Sequence, residues 1–332
     1  MARADRLSLL QELEAERQAA IICYFTGDRE NLSTRIAPDV IRVFYRHLLA
    51  MGPQAKIDLL LYSRGGDIFT PWRLVNLLRE FTSYLSILVP YRAASAGTLL
   101  CLGANEIVMG SLGELGPIDP KVANAFNPED PANPVARLPV SVEDVTAYLS
   151  LAREIGGLTS EANLAVIFNS LVERVHPLAL GNVYRNYVLI RSLARKLLEL
   201  HMPAEAQPDI ETIIENLTEK LYAHNHMISR KEAARVIKLP VVESSPKIEQ
   251  LMWEIYLDYE RDLQLLEPFN PAALLKPQEY SLEFEATGGI VESIKCLDAF
   301  VFNGNITREH QPRAGMSPLS VNFTRQGWRQ LI

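Results

Sequence analysis

Residues 57–121 read IDLLLYSRGGDIFTPWRLVNLLREFTSYLSILVPYRAASAGTLLCLGANEIVMGSLGELGPIDPK, and this stretch constrains the fold more than any other. The apolar run Ile57–Tyr62 predicts a buried strand that ends at Gly65-Gly66. Helical spacing follows over Pro71–Phe81, then a second buried strand over Leu85–Val89. The small-residue turn Ala93-Ala94-Ser95-Ala96-Gly97 opens another helix, and Glu106–Met109 is a third strand. Strand, helix, strand, helix at this rhythm requires right-handed βαβ units, so the fold class is α/β with a mainly parallel sheet.

The rest of the chain narrows the setting. Hydrophobic residues make up 48% of the 332 positions, enough for a sizeable core. A net charge of −7, with basic residues in small groups such as Arg230-Lys231, argues against a nucleic-acid partner. Cys23, Cys101 and Cys296 are odd in number and widely spaced. They fit a reducing, cytoplasmic setting and offer neither a disulfide framework nor zinc spacing. The charged, amphipathic N-terminus has no signal-peptide core, and no run reaches the roughly 18 apolar residues of a membrane span.

Helices are predicted over Leu7–Ala20, Pro38–Met51, Ser160–Val175, Leu178–Leu200 and Asp209–Tyr222. Ser141 is expected to cap a further helix, with Asp144 at the capping-box position. Asn124–Pro139 holds four prolines and reads as a loop. Ser229-Arg230-Lys231-Glu232 fits a capping box that starts a helix over Arg230–Ile237. After Pro240 the texture changes. A helix over Pro246–Leu265 and a proline-rich linker over Pro268–Gln278 precede β-type alternation, with a turn expected at Gly288-Gly289. The expected division is therefore a domain over 1–240 and an accessory α+β extension over 241–332, dispensable for the chemistry but controlling access or binding a partner protein.

Ser95 is the candidate nucleophile. A serine before a helix is ordinarily just its cap. The double glycine upstream, at the end of an apolar strand, adds what acyl transfer needs: backbone N–H groups left unshielded. Gly65, Gly66 and Ala96 are the candidate oxyanion-hole positions. Asp67 reads as a turn-stabilising residue, His176-Pro177 as a break between helices, and Cys101 as core. SRGGD is no phosphate-binding loop, because no Gly-Lys-Ser/Thr follows. No cofactor and no metal ligand set is expected.

SRGGD, ASAGT and NEIVMGSLGELGPIDPK together resemble the Clp-fold serine peptidases, in particular the serine dehydrogenase proteinase family. The resemblance covers roughly residues 1–240, is strongest over Asp58–Lys121 and Tyr222–Ala234, and has GPIDP as its most specific piece. Arg64 stands where Clp peptidases carry proline, and Ala96 where they carry methionine. The resemblance implies a Clp/crotonase-like ββα spiral, usually in a homo-oligomer, and a serine-type peptidase acting on a peptide or protein substrate.

It also implies a triad in the order serine, aspartate, histidine. Asp119 of GPIDP matches the aspartate, and the segment LYAHNHMISRKEA matches the histidine segment, with His224 at the family position and His226 its competitor. Lys121 could instead serve a Ser–Lys dyad, although a surface lysine is the commoner role. A crotonase-type acyl-CoA enzyme and a catalytically inactive scaffold remain the rivals. An α/β-hydrolase does not fit, because no G-x-S-x-G surrounds Ser95.

Overall fold

Ile57, Leu59 and Leu61 pack into one apolar cluster, whereas the alternate residues Leu60 and Tyr62 pack into another. Side chains alternate across a strand, so this strand is buried on both faces and needs a helical layer on each side. The computed structural model describes residues 3–118, 121–122, 124–130, 132–138, 140–218, 226–276, 278–308 and 319–332.

The elements that frame the fold begin with α1 (Arg3–Arg17), β1 (Ala20–Thr26), α2 (Val40–Met51), β2 (Gln54–Tyr62), α3 (Thr70–Arg79) and β3 (Thr82–Val89). Next come β4 (Arg92–Ala93), α4 (Ala96–Leu102), β5 (Glu106–Met109), β6 (Glu114–Leu115), α5 (Val142–Ser150), α6 (Glu161–Val172), α7 (Pro177–Glu199) and α8 (Gln207–Thr218). The last are β7 (Ile228–Ser229), α9 (Arg230–Glu232), β8 (Val241–Val242), α10 (Pro246–Asp262), β9 (Ser281–Ser293), β10 (Leu297–Arg308) and β11 (Leu319–Gln330).

Among the described residues the main sheet has eight strands in the order β8-β5-β3-β2-β1-β9-β10-β11. The five from β8 to β1 are parallel to one another. β9, β10 and β11 continue the sheet antiparallel from the free edge of β1. On one face lie α2, α3, α4, α7 and α8, whose Phe44, Leu74, Leu100, Leu197 and Ile213 are fully buried. On the other face α1 and α10 bring Leu10, Leu13, Met252, Ile255 and Tyr259 onto Cys23, Phe25 and Tyr62. Phe25 and Tyr259 approach to 4.3 Å between ring centroids, and Tyr62 and Tyr256 to 5.2 Å. Burial of each such side chain contributes about 1.5–3 kcal/mol.

The texture of the chain changes at Pro240, but the core crosses it: β9 pairs with β1, and α10 packs on α1. Arg6 of α1 is clamped here by Glu292 at 2.7 Å, Asp262 at 2.7 Å and Asp258 at 2.5 Å. A buried guanidinium is tolerable only with partners of this kind.

Three local expectations change. Gly288-Gly289 makes no turn and lies inside β9, where the ladder to β10 is irregular between Thr287 and Gly289. The Gly288 carbonyl accepts the Gly27 N–H at 2.7 Å and the Thr34 hydroxyl at 2.5 Å, and a β-carbon there would stand 2.3 Å from the Phe302 ring. The glycine is there for close approach at a bulge. The stretch expected as a linker, Pro268–Gln278, carries a short helix at Pro271–Leu274 capped by Asn270, and buries Phe269 and Leu275 beside Phe284. The expected loop Asn124–Pro139 contains a small antiparallel pair, Glu129–Asp130 with Asn133–Arg137.

Candidate active site

Ser95 joins β4 to α4 with φ 54° and ψ −113°. A non-glycine residue there costs on the order of 1–3 kcal/mol, so its surroundings must impose the conformation. They do so through backbone bonds on both sides. Ser63 N–H donates to the Arg92 carbonyl at 2.9 Å, Ala94 N–H to the Ser63 carbonyl at 3.0 Å, and Gly97 N–H to the Ala94 carbonyl at 2.8 Å. The buried Thr98 hydroxyl adds a side-chain tie, donating to the Ala93 carbonyl at 2.9 Å, and accepts the Gly116 N–H at 3.1 Å. Ser95 carbonyl accepts the Leu99 N–H at 3.0 Å, but its hydroxyl makes no capping bond. The ordinary reading of this serine as a cap is therefore excluded. Its Oγ is left without a hydrogen bond among the described residues.

The double glycine closes over this serine. Gly65 has φ 110°, and a β-carbon on it would stand 2.7 Å from Ser95 Cβ. Gly66 is bridged to Ile36: Ile36 N–H donates to the Gly65 carbonyl at 2.9 Å and Asp67 N–H to the Ile36 carbonyl at 2.8 Å. Of the three positions expected to form an oxyanion hole, Gly65 is not a donor. Its N–H already points to Ser63 Oγ at 3.0 Å, and that oxygen also accepts the Thr26 hydroxyl at 2.7 Å. Gly66 and Ala96 N–H groups are engaged by no described residue. Gly65 thus contributes shape, and the Gly66 and Ala96 N–H groups are left as the candidate donors. Asp67 caps α3, accepting the Thr70 N–H and hydroxyl, each at 2.7 Å. His176 caps α7, its Nδ1 accepting the Leu178 N–H at 3.2 Å.

A second, three-stranded sheet builds the far wall. β4 runs parallel to β6, and β6 runs antiparallel to β7, so that Ala93, Leu115 and Ile228 share one row. The cleft so formed measures about 490 Å³ and is lined by Arg64, Arg92, Ser95, Glu114, His226 and Met227 together with Gly116 and Pro117. Its charges are internally matched. Arg64 pairs with Asp28 at 2.5 Å, Arg92 pairs with Glu114, and Tyr62 hydroxyl donates to Asp28 at 2.8 Å. Burial, and then the neighbouring Asp28, pushes the Tyr62 phenol well above its usual range.

His226 Nε2 lies 2.8 Å from Glu232 Oε1. Asp119 and His224 lie outside the described residues. Lys121 is described by its backbone, paired with Ser141 in a short strand. Just before Asp119, Ile118 is buried and its N–H donates to the Leu217 carbonyl at the end of α8. Cys23 and Cys101 are fully buried, and burial pushes both thiols far up, away from nucleophilic thiolate. Among the described residues no cluster of His, Cys, Asp and Glu has the form of a metal site, and no helix is long and apolar enough to cross a membrane.

Sequence reading missed Glu232 as a partner of His226, because S-x-x-E before a helix is ordinarily a cap. It also missed Ser63 and Thr98, hydroxyl residues whose role depends on contacts made only after folding.

Residues 3–138 match the ClpP-like SDH-type serine proteinase family, the family that SRGGD, ASAGT and GPIDP resemble. Two uncharacterized proteins of Methanocaldococcus jannaschii are similar to parts of the chain. MJ0137 is 27% identical over 124 residues, which is 35% of this chain and 43% of that protein. MJ1495 is 32% identical over 66 residues, 20% of this chain and 23% of that protein. The chain thus spans less than half the length of the curated relatives it matches.

Proposed function

We propose that this chain is a serine peptidase that cleaves peptide bonds with Ser95 as nucleophile. One observation carries the reading: a serine held at positive φ at a helix start, whose hydroxyl and the nearby Gly66 and Ala96 N–H groups have no partner among the described residues. Ser95 Oγ attacks the scissile carbonyl, and Gly66 and Ala96 N–H groups receive the oxyanion. A histidine of the 224–226 segment takes the serine proton and passes it to the leaving amine. The family resemblance pairs His224 with Asp119 in that role, while the lining of the cleft supports His226.

The proposal includes the Clp/crotonase-like spiral, a peptide or protein substrate, and residence in the cytoplasm with its three thiols reduced. It also includes a homo-oligomer. In support, α6 leaves Val166 and Phe168 at least half exposed and buries only Ile167, an arrangement that suits a helix with a protein neighbour.

The test is labelling with a fluorophosphonate. Ser95 Oγ displaces fluoride from phosphorus, and the serine proton leaves through the base. The full-length chain should be labelled, and Ser95→Ala should abolish both labelling and cleavage of fluorescein-labelled casein without changing the circular dichroism. Labelling that survives in Ser95→Ala would rule out the assignment. An acyl-CoA enzyme of related fold, which needs no serine nucleophile, would not be labelled at all.

A further inference from the structure

The row Ala93, Leu115, Ile228 fixes a relation between two distant parts of the chain. β4 is parallel to β6 and leaves the row toward Ser95, two residues on. β7 is antiparallel to β6, so the chain enters the row from that same end, and two residues before Ile228 stands His226. The small sheet therefore delivers Ser95 and His226 to one end of itself, and both line the cleft there.

Glu232 is the third residue of α9. In a full capping box its carboxylate would turn back to the N–H of the capping serine. Only half of that box is present: Ser229 Oγ accepts the Glu232 N–H at 3.4 Å, while the Glu232 carboxylate turns to His226 Nε2 at 2.8 Å. The pair is partly shielded, with side-chain exposures of 36% for His226 and 26% for Glu232. A carboxylate on Nε2 holds the ring proton there and leaves the Nδ1 lone pair free. Nδ1 has no partner among the described residues.

We propose that Glu232 is the positioning carboxylate of a Ser95–His226–Glu232 relay. This rests on the reading of Ser95 as the nucleophile. The Ser95 Oγ–carbon bond forms as the serine proton passes to His226 Nδ1, and the carbonyl electron pair moves onto oxygen. Collapse breaks the carbon–nitrogen bond, and the leaving amine takes the proton from His226. Water then attacks the ester, gives its proton to His226, and the proton returns to the departing Ser95. The Glu232 carboxylate faces the Nε2 edge of the ring and stabilises the transient imidazolium. The Ser95–His226 hydrogen bond, absent in the free cleft, forms as substrate closes the gap; such bonds tighten in the substrate complex.

The experiment uses the full chain with a fluorophosphonate probe and fluorescein-labelled casein. Glu232→Gln keeps the size of the side chain and its N–H cap, so the fold should persist. It is expected to lower kcat and the labelling rate by roughly 10²–10⁴-fold with KM unchanged, as loss of an orienting carboxylate does in other triads. Nitrogen-15 spectra of His226 should show one Nε2–H tautomer in the parent and a mixture in Glu232→Gln, and this change should accompany the fall in kcat at unchanged KM and unchanged urea midpoint, a combination that a merely structural glutamate would not produce. Full activity in Glu232→Gln, or an unchanged His226 spectrum, would overturn the relay. So would activity in both His226→Ala and Glu232→Gln alongside inactive His224→Ala or Asp119→Asn, and in that case the peptidase reading stands. Labelling that persists in Ser95→Ala would instead remove the peptidase reading, and the relay with it.

Discussion

His47 Nε2 lies 3.0 Å from Asp298 Oδ2, and both side chains are wholly buried. The other ring nitrogen, Nδ1, lies 3.0 Å from Ser293 Oγ. Serine, histidine and aspartate are thus connected in the order of a catalytic relay, with Arg46 also on Asp298. No cleft reaches them, since all three are fully shut off from solvent. The set is a clasp that fastens α2 to the β9–β10 hairpin. Ser95 has the opposite features: it lines an open cleft, and its hydroxyl and the Gly66 and Ala96 N–H groups have no partner among the described residues. Access and donor geometry distinguish the proposed active site from a structural relay that uses the same residue types.

His47→Ala should therefore cost stability and leave the chemistry intact. It leaves Ser293 and Asp298 short of a partner in the core, at about 2–4 kcal/mol. Urea unfolding should show the loss, while the folded fraction keeps the parent rate of fluorophosphonate labelling. A labelling rate that fell with unchanged stability would give His47 a role that this placement denies it.

Gly65→Ala should disable the site without unfolding the sheet. The new methyl group would crowd Ser95 Cβ at 2.7 Å and Oγ at 3.1 Å, and alanine disfavours φ 110°. Displacement of the loop carries the proposed Gly66 donor with it. A loss on the order of 10²–10³-fold in labelling rate is expected, the scale of one oxyanion-hole donor. Near-parent labelling in Gly65→Ala would show that the loop tolerates a side chain there.

Glu106 should make the fold sensitive to acid. Burial tends to raise its carboxyl, but Lys56, Arg17 and Ser86 overcome that and hold it at about 2, below the usual 4.5. A depressed acid stabilises the fold fully above its unfolded value and loses that contribution as pH falls toward its folded value. The contribution should therefore decline between about pH 4.5 and 2. Asp58, the other carboxylate on Arg17, is raised by burial, so the comparison must be by difference. Urea midpoints of the parent and Glu106→Gln should converge as pH drops through this window. A gap that stays constant would refute the assignment.

A chain ending at Pro240 should fail to hold its fold. It would bare the β1 edge and remove Met252, Ile255, Tyr256 and Tyr259 from the sheet face they cover. Circular dichroism and size exclusion of the shortened chain should show loss of native structure, with no Ser95 labelling. A folded and labelled shortened chain would make residues 241–332 the dispensable module that the change in sequence texture suggests.

The parallel half of the sheet was legible because Ile57–Tyr62, Leu85–Val89 and Glu106–Met109 are apolar runs, which only a strand buried on both faces needs. The small sheet was not: Arg92–Ala93, Glu114–Leu115 and Ile228–Ser229 are two-residue strands, too short for any periodicity. It is this sheet that carries His226 to the cleft, so the motif segments could be recognised while their meeting could not. Ser95 could be placed at a helix start, but whether its hydroxyl caps the helix depends on its backbone angles. Gly288 misled for a similar reason. A glycine pair signals a turn unless another backbone, here Gly27, crosses it.

The pairing of β1 with β9 joins residues near the start of the chain to residues near its end, Ile22 opposite Ser293. While the chain is being synthesised, β1 must wait with one edge bare until β9 has left the ribosome. Long-range pairings of this kind form late and leave edges open to wrong partners in the meantime. The β2–β3 core and the Ser95 turn are made long before that edge closes. Completion of the sheet therefore waits for β9, and a product terminated before it lacks the strand that covers the β1 edge.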